Sequence, residues 1–266
     1  MLADAGLYAE TFVRWAVCYS ASAEPAALAR YDLVVLDAVR HPSLAPLLAQ
    51  KRTVLAYLSL TEMVKGHDAF PELERAGVVL DPHPGWNGTY YLDFRRPEWT
   101  RLVLDRLVPR ALKAGFTGMF LDTLDDAAFL EAQDPVRYRG MHEAAVRLVR
   151  AIREQHPQIV LMVNRGYTLM PELAAAVDIV LGESVVSTFR SDMKAYARVS
   201  DGDVAWQLNA LREARATNPA LRVLTLDYWD PADAEGIRRI YKKQRANGFS
   251  PYVSTPTLDT LVEEPQ

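Results

Sequence analysis

Short, continuous apolar runs recur along the chain, and most of them end in a polar residue. Such runs predict strands that are buried on both faces, because a half-exposed strand would alternate apolar and polar positions. The segments that predict strands in this way are Val13–Tyr19, Asp32–Asp37, Thr53–Leu58, Gly118–Asp122, Ile159–Val163, Asp178–Leu181, Arg222–Leu226 and Phe249–Ser254.

Helical segments separate the predicted strands. Arg96-Pro97-Glu98 opens one helix with a proline in its first turn, and Gly248 ends another. A third segment, from Lys65 to Phe94, is predicted to be a long irregular insertion, and loops of that length are usually lids or binding loops. The predicted helices are Ala23–Arg30, Pro42–Gln50, Pro97 to about Ala114, Met141–Gln155, Pro171–Val177, a stretch near Ser191–Val199, Val204–Arg215 and Asp233–Asn247.

Eight strands that alternate with helices, without internal repeats, predict an α/β fold, the (βα)8 TIM barrel. A doubly wound open sheet is the alternative. It is weakened because CYSASAEP stands after the first strand, where a glycine-rich phosphate-binding turn is expected. We therefore expect a single catalytic domain over residues 1–266, with a long loop insertion near residues 65–94.

Composition narrows the function. The chain has 266 residues, of which 50% are hydrophobic, and a net charge of −4, which argues against a nucleic-acid-binding protein. Its one cysteine, Cys18, excludes an internal disulfide and a cysteine-rich zinc site, and we expect it to be a buried hydrophobe. No apolar run is long enough to cross a membrane. The opening MLADAGLYAE lacks the basic and apolar regions of a signal peptide. We expect no metal and no cofactor, and we favour a monomer.

Polar residues follow the predicted strands, and in a barrel these strand ends converge on one face. GFTGMFLDTLDD places Asp122 directly after a buried run, and Gly182 before Glu183 allows close backbone approach to the barrel mouth. Two carboxylates without an obligatory metal suit the cleavage of a glycosidic bond, with one group as the acid and the other as nucleophile or stabiliser. The polar residues at these ends are Asp37, Glu62, Asp122, Asn164, Glu183 and Asp227.

Several side chains near these ends are predicted to bind the sugar, the aromatic ones by stacking on pyranose faces. Tyr228 and Trp229 directly follow Asp227, which makes them the favoured platforms. Asp37 alone is equally compatible with capping a turn. The histidines lack metal-binding spacing, although His67 or His83 could reach the site from the insertion. The predicted substrate-binding residues are Asp37, Tyr57, Asn164, Tyr167, Asp227, Tyr228 and Trp229.

Two other functions remain open from the residues alone. A non-catalytic carbohydrate-binding barrel would keep the aromatic residues, but it could dispense with either acid. A barrel that uses its acids to hold Mg²⁺ for phosphoryl chemistry would need a basic phosphate pocket at the later strands, where this chain has acids instead.

The motifs WAVCY, YDLVVLDA, VLAYLSLTE, YLDFRRPEW, GFTGMFLDTLDD, VNRGY, GES and LDYWD, in this order, resemble glycoside hydrolase family 114. The likeness runs from about Arg14 to Thr260, and GFTGMFLDTLDD and GES are its most specific parts. The first strand departs from the pattern, since relatives often carry a more aromatic one. The resemblance extends to endo-α-1,4-polygalactosaminidases and to the hydrolase domain of the Pel exopolysaccharide machinery.

The resemblance implies a barrel that cleaves α-1,4-linked galactosamine or N-acetylgalactosamine exopolysaccharide internally. It implies Asp122 as nucleophile and Glu183 as acid/base in a retaining mechanism, which requires carboxyl groups about 5–5.5 Å apart. It also implies a role in biofilm-matrix turnover or polymer export and an extracellular or periplasmic location. Separately, acids at the rim such as Asp125, Asp126 and Asp230 favour a cationic, partially deacetylated polymer as the substrate.

Overall fold

The eight predicted strands form the wall of a nearly closed barrel in the computed structural model, which describes residues 12–266. The predicted (βα)8 TIM barrel is therefore confirmed. The opening MLADAGLYAE, for which no signal peptide is predicted, lies outside the described residues. Every strand pairs in parallel with its neighbours in chain order. The strands are β1 (Trp15–Val17), β2 (Leu33–Asp37), β3 (Thr53–Ser59), β4 (Gly118–Asp122), β5 (Val160–Asn164), β6 (Ile179–Glu183), β7 (Arg222–Tyr228) and β8 (Ser250–Ser254).

Contacts between β1 and β8 bring the two ends of the sheet together. Within the described residues these two strands share no backbone ladder. Instead, the Val13 amide donates to Ser250 Oγ at 3.0 Å, and Trp15 Nε1 donates to the Ser250 carbonyl at 2.9 Å. The Trp15 ring also packs on Tyr252, with centroids 5.6 Å apart. Side-chain contacts therefore close the barrel between β1 and β8, where backbone ladder hydrogen bonds do not.

Along each strand, side chains that face the barrel interior alternate with side chains that face the surrounding helices. On β4, Phe120 packs inside the barrel, whereas Met119 and Leu121 pack against the helices. Both faces are buried, and this explains why the strand sequences are continuous apolar runs.

The helices surround the barrel, and no helix within residues 12–266 is long and apolar enough to cross a membrane. The predicted helix after Arg96 contains one π-helical turn, Val103–Leu107. We attribute the turn to Pro109, which lacks an N–H and whose ring would clash with the Asp105 carbonyl in an unbroken α-helix. The helices are α1 (Pro25–Leu28), α2 (Ala45–Ala49), α3 (Phe70–Arg75), α4 (Pro97–Leu102), α5 (Val108–Ala114), α6 (Asp126–Gln133), α7 (Met141–Gln155), α8 (Met170–Leu173), α9 (Asp201–Thr217) and α10 (Ala234–Ala246).

The insertion contains regular structure, which corrects the prediction of an irregular segment. Strands Glu62–Val64, Val79–Pro82 and Thr89–Leu92 form an antiparallel sheet, and α3 lies between the first two. These strands are only three or four residues long, too short for a clear alternation in the sequence. The sheet is stabilised by burying its apolar side chains, as where Phe70 packs on Tyr90 with ring centroids 5.2 Å apart.

Two other helix predictions need correction. The stretch near Ser191–Val199 is not a helix, because Ser187–Arg190 and Ala195–Arg198 form an antiparallel hairpin. Phe189 pairs with Tyr196 there, and their rings meet edge to face at 5.2 Å, which favours the extended conformation. Conversely, the sequence analysis predicts no helix over Asp126–Gln133, where the structure has α6.

Candidate active site

Three neighbouring strands end in the side chains at the centre of the site. β4 ends at Asp122, β5 at Asn164 and β6 at Glu183. Each follows an interior-facing residue by two positions, so the alternation of the strand directs all three side chains into the mouth of the barrel.

The Asn164 carboxamide joins the two carboxyl groups. Its Nδ2 donates to Asp122 Oδ1 at 2.9 Å and to Glu183 Oε2 at 2.6 Å. Because both bonds end on one nitrogen, the two oxygens lie no further apart than the two bond lengths placed end to end. Asp122 Oδ1 and Glu183 Oε2 are therefore at most about 5.5 Å apart. This is the separation typical of retaining glycosidases, and it is shorter than the about 6.5 Å that inverting enzymes need.

Donors surround Asp122. The Thr123 amide donates to Asp122 Oδ1 at 2.8 Å, the same oxygen that Asn164 contacts. The Tyr57 hydroxyl also hydrogen-bonds to Asp122, and burial together with the Asp122 charge raises the pKa of Tyr57. Tyr57 therefore stays protonated and remains a donor. Asp122 thus lies among hydrogen-bond donors, which stabilise a carboxylate because its oxygens accept hydrogen bonds.

Glu183 lies in a different environment. Burial first, and then the nearby charge of Asp122, raise the pKa of Glu183, while hydrogen bonds from Tyr228 and Asn164 act in the opposite direction. The Tyr228 hydroxyl donates to Glu183 Oε1 at 2.6 Å. Glu183 thus keeps its proton to a higher pH than an ordinary carboxyl group, as a general acid requires.

Each of the three central residues is followed by a non-glycine residue in the left-handed conformation. Thr123, Arg165 and Ser184 have φ values of 68°, 51° and 53°. This conformation is strained, most of all for β-branched Thr123. Thr61 holds Thr123 in place, because its amide donates to Thr123 Oγ1 at 3.1 Å and its hydroxyl donates to the Thr123 carbonyl at 2.6 Å. The chain therefore turns away from the mouth directly after each functional side chain.

A second pair of carboxyl groups, Glu62 and Asp126, lies beside Asp122. Burial first, and then the charge of Asp126 and the hydrogen bond with it, raise the pKa of Glu62 to about 8. Burial also raises the pKa of Asp126, to about 6, while hydrogen bonds with Thr61 and Glu62 act in the opposite direction. Thr61 Oγ1 donates to Asp126 Oδ2 at 2.7 Å, and His83 Nε2 lies 3.4 Å from Glu62 Oε1. His83 thus reaches the mouth from the insertion, as predicted for either His67 or His83. The pair retains a proton at a higher pH than separate carboxyls would.

Two further predicted residues line the mouth. A pocket of about 620 Å³ opens beside Asp122, and both Asp37 and Tyr57 line it. Asp37 also shapes the loop after β2, because its Oδ1 accepts the amides of Val39 at 2.8 Å and Arg40 at 2.6 Å. The structure thus brings Asp122, Glu183, Asn164 and Tyr228 into direct contact, with Tyr57 and Asp37 next to them.

Asp227 lies outside this cluster. It is 0% exposed and faces the helices, because interior positions on β7 alternate through Leu224, Leu226 and Tyr228. Its Oδ1 accepts the amides of Val186 at 2.7 Å and Ser187 at 2.9 Å. Its Oδ2 accepts from the Gln244 side chain at 2.6 Å. These contacts make Asp227 a buried anchor for the segment after β6.

Tyr167 and Trp229 also point elsewhere. Tyr167 is buried among the helices, and its hydroxyl donates to Gln207 Oε1 at 2.9 Å. Gln207 in turn donates to the Ser184 carbonyl at 2.8 Å, so Tyr167 supports the turn behind Glu183. Trp229 Nε1 donates to Asp233 Oδ2 at 2.9 Å, and its ring lines a separate hollow.

Tyr19, which is not among the predicted site residues, faces the centre of the site. Burial, followed by the charges of Asp122, Glu183 and Asp37, raises the pKa of Tyr19 well above its ordinary value. Its ring meets Tyr57 edge to face at 5.2 Å. Tyr19 ends the first predicted strand, so a search of the strand ends for hydroxyl groups as well as acids would have found it.

A barrel with two carboxyl groups this close at its mouth, one of them with a raised pKa, has the active-site geometry of a glycoside hydrolase. The model for glycoside-hydrolase family GH114 matches residues 4–266. The chain belongs to this family, so the predicted class of enzyme is confirmed. A comparison with curated proteins finds no match.

Solved structures support the assignment. The glycoside hydrolase domain of PelA from Pseudomonas aeruginosa is 28% identical with a TM-score of 0.84, covering 96% of this chain and 99% of that one. Ega3 from Aspergillus fumigatus, solved in complex with galactosamine, is 12% identical with a TM-score of 0.71, covering 96% and 95%. TtGalA, an α-galactosidase from Thermus thermophilus, is 14% identical with a TM-score of 0.52, covering 95% and 59%. The last two are similar in fold alone.

We expect Asp227→Ala to lower the free energy of unfolding by about 3 kcal/mol, because it leaves three buried donors unpaired. Urea denaturation measures this, with exposed Asp230→Ala as the matched control. Unchanged stability in Asp227→Ala combined with a raised KM would instead place Asp227 in substrate binding.

Proposed function

We propose that this enzyme hydrolyses α-1,4-linked galactosamine or N-acetylgalactosamine polymers internally and with retention of configuration. The observation that carries the proposal is the Asn164 bridge, which sets a short separation between Asp122 and Glu183. Membership of family GH114, the likeness to the PelA hydrolase domain and the galactosamine bound to Ega3 support the choice of polymer.

In the first proposed step, Glu183 donates its proton to the glycosidic oxygen as the bond to the anomeric carbon breaks. Asp122 attacks that carbon and forms a glycosyl ester. Because Oδ1 of Asp122 already accepts from Thr123 and Asn164, we assign the attack to Oδ2. The Tyr57 hydroxyl stabilises the Asp122 carboxylate beforehand.

In the second step, the Glu183 carboxylate removes a proton from water. The resulting hydroxide attacks the anomeric carbon, the ester bond to Asp122 breaks, and Glu183 is protonated again. Tyr228 stabilises the Glu183 carboxylate between the two steps, because its hydroxyl donates to Oε1.

Polar groups around the carboxyl pair are proposed to bind the sugar. Asn164 Oδ1 is buried without a protein partner within residues 12–266, so a hydroxyl or ammonium of the sugar can donate to it. Asp37 and the pair of Glu62 and Asp126, which carries one charge while it holds one proton, add negative charge around Asp122, which favours a deacetylated, cationic polymer. Such a polymer is an exopolysaccharide, so we place the reaction in an extracellular or periplasmic setting.

Replacement of either central carboxyl group should abolish turnover. We expect Asp122→Asn and Glu183→Gln each to lower kcat at least about 10³-fold, because each removes the group that attacks or that transfers the proton. The measurement is mass spectrometry of the products from purified, partially deacetylated α-1,4-galactosaminan.

Asp105→Asn, which changes an exposed acid on the outer helical layer, is the matched control and should keep full activity. Oligosaccharides from the parent and from both variants would contradict the roles proposed for the two residues. If the parent releases no products from this polymer but cleaves another glycan, the proposed substrate is contradicted.

Tyr228→Phe should change the pH dependence. The hydroxyl of Tyr228 favours the charged form of Glu183, so its loss raises the pKa of Glu183 further. Since Glu183 must be protonated to act, the alkaline limb of the kcat/KM profile moves to higher pH. We expect kcat to fall roughly tenfold as well, because one hydrogen bond to the acid/base is lost.

The matched control is Tyr138→Phe, whose hydroxyl contacts Asp81 in place of the catalytic groups. An alkaline limb that stays in place or moves to lower pH in Tyr228→Phe would show that Glu183 does not set it.

A further inference from the structure

Trp86 is an exposed tryptophan in the turn between the strands Val79–Pro82 and Thr89–Leu92. The residue is 65% exposed. Three of the other tryptophans donate their indole N–H to protein acceptors, namely Trp15, Trp99 and Trp229. The part of the chain that the structure describes supplies neither such an acceptor nor a ring contact for Trp86. An aromatic ring held in solvent in this way is available to a ligand.

The turn that carries Trp86 is firmly held. The His83 amide donates to the Thr89 carbonyl at 2.8 Å, and the Thr89 amide donates to the Trp86 carbonyl at 3.1 Å. His83 Nδ1 accepts the Gly85 amide at 2.9 Å, while the His83 ring packs on Tyr91 at 4.9 Å. The backbone beneath Trp86 is thus fixed before any ligand arrives, which lowers the entropy lost on binding.

This turn is also connected to the catalytic mouth. His83 Nε2 reaches Glu62 Oε1 at 3.4 Å. Glu62, Trp86 and Asn87 line the same pocket as Asp122. Glu183 does not line it, so the pocket lies on the Asp122 side of the carboxyl pair. A chain cleaved between the carboxyl groups would continue along this pocket toward Trp86.

We propose that Trp86 is the stacking platform of a distal sugar subsite, which holds a hexosamine unit of the polymer away from the cleaved bond. The proposal rests on the proposed function and deepens it. Trp86 binds the polymer in the ground state and the transition state alike, so it lowers KM without changing kcat. It acts only on chains long enough to reach it, and thereby favours long polymers over short oligosaccharides.

The test compares Trp86→Ala with the parent on galactosamine oligosaccharides of increasing length. We expect about tenfold higher KM on long chains with kcat unchanged, and no change on the shortest chain that is cleaved. Trp86→Phe should recover most of the loss. The matched control is Trp206→Ala, which removes a 53% exposed tryptophan on α9 that packs on Tyr167.

Binding is measured separately by calorimetry in the Asp122→Asn background, with and without Trp86→Ala. Suppose that the parent cleaves the polymer, and that KM and binding in Trp86→Ala equal those of the parent and of Trp206→Ala. This result would overturn the subsite and leave the proposed function intact. Weaker binding of long chains by Trp86→Ala, with no cleavage by the parent, would support the subsite and overturn the proposed function. Neither cleavage nor binding of these chains would overturn both.

Discussion

The carboxyl groups of Asp122 and Glu183 lie so close that they repel each other when both are ionised. The rest of the site depends on the contacts that compensate for this repulsion. Asn164 donates one amide group to both Asp122 and Glu183. Burial and the Asp122 charge raise the pKa of Glu183, which favours one charge on the pair over two. The interaction that makes the pair tolerable thus favours a proton on Glu183, the state that the proposed general acid needs.

The barrel wall delivers this arrangement through three adjacent strands in register. β4 and β5 pair at Gly118 and Val160, where a Cβ on residue 118 would lie 2.0 Å from the Val160 carbonyl oxygen. Glycine therefore allows the close approach that aligns the two strand ends. The left-handed residues Thr123 and Ser184 then turn the chain outward, and the contacts of Thr61 and Gln207 hold those turns. Strain at the mouth is thus balanced by hydrogen bonds behind it.

Continuous apolar runs were enough to predict the barrel, because a strand buried on both faces leaves that signature. They also placed Asp122 and Glu183 at the mouth. Proximity to a strand end does not show which side chain points inward; the two-residue alternation directs Tyr228 inward and Asp227 outward. The contacts of Tyr167 depend on the position of α9, which is remote in sequence. The insertion and the hairpin near Ser191–Val199 are built from strands too short to show a period.

In the proposed mechanism, Asp122 attacks the sugar while Glu183 transfers the proton across a short gap. The most direct measurement is proton NMR of the first products formed from α-1,4-galactosaminan, before the new reducing ends equilibrate between anomers. We expect the α-anomer to appear first, because two displacements restore the configuration of the substrate. The β-anomer appearing first would mean a single displacement by water, and would contradict the role assigned to Asp122.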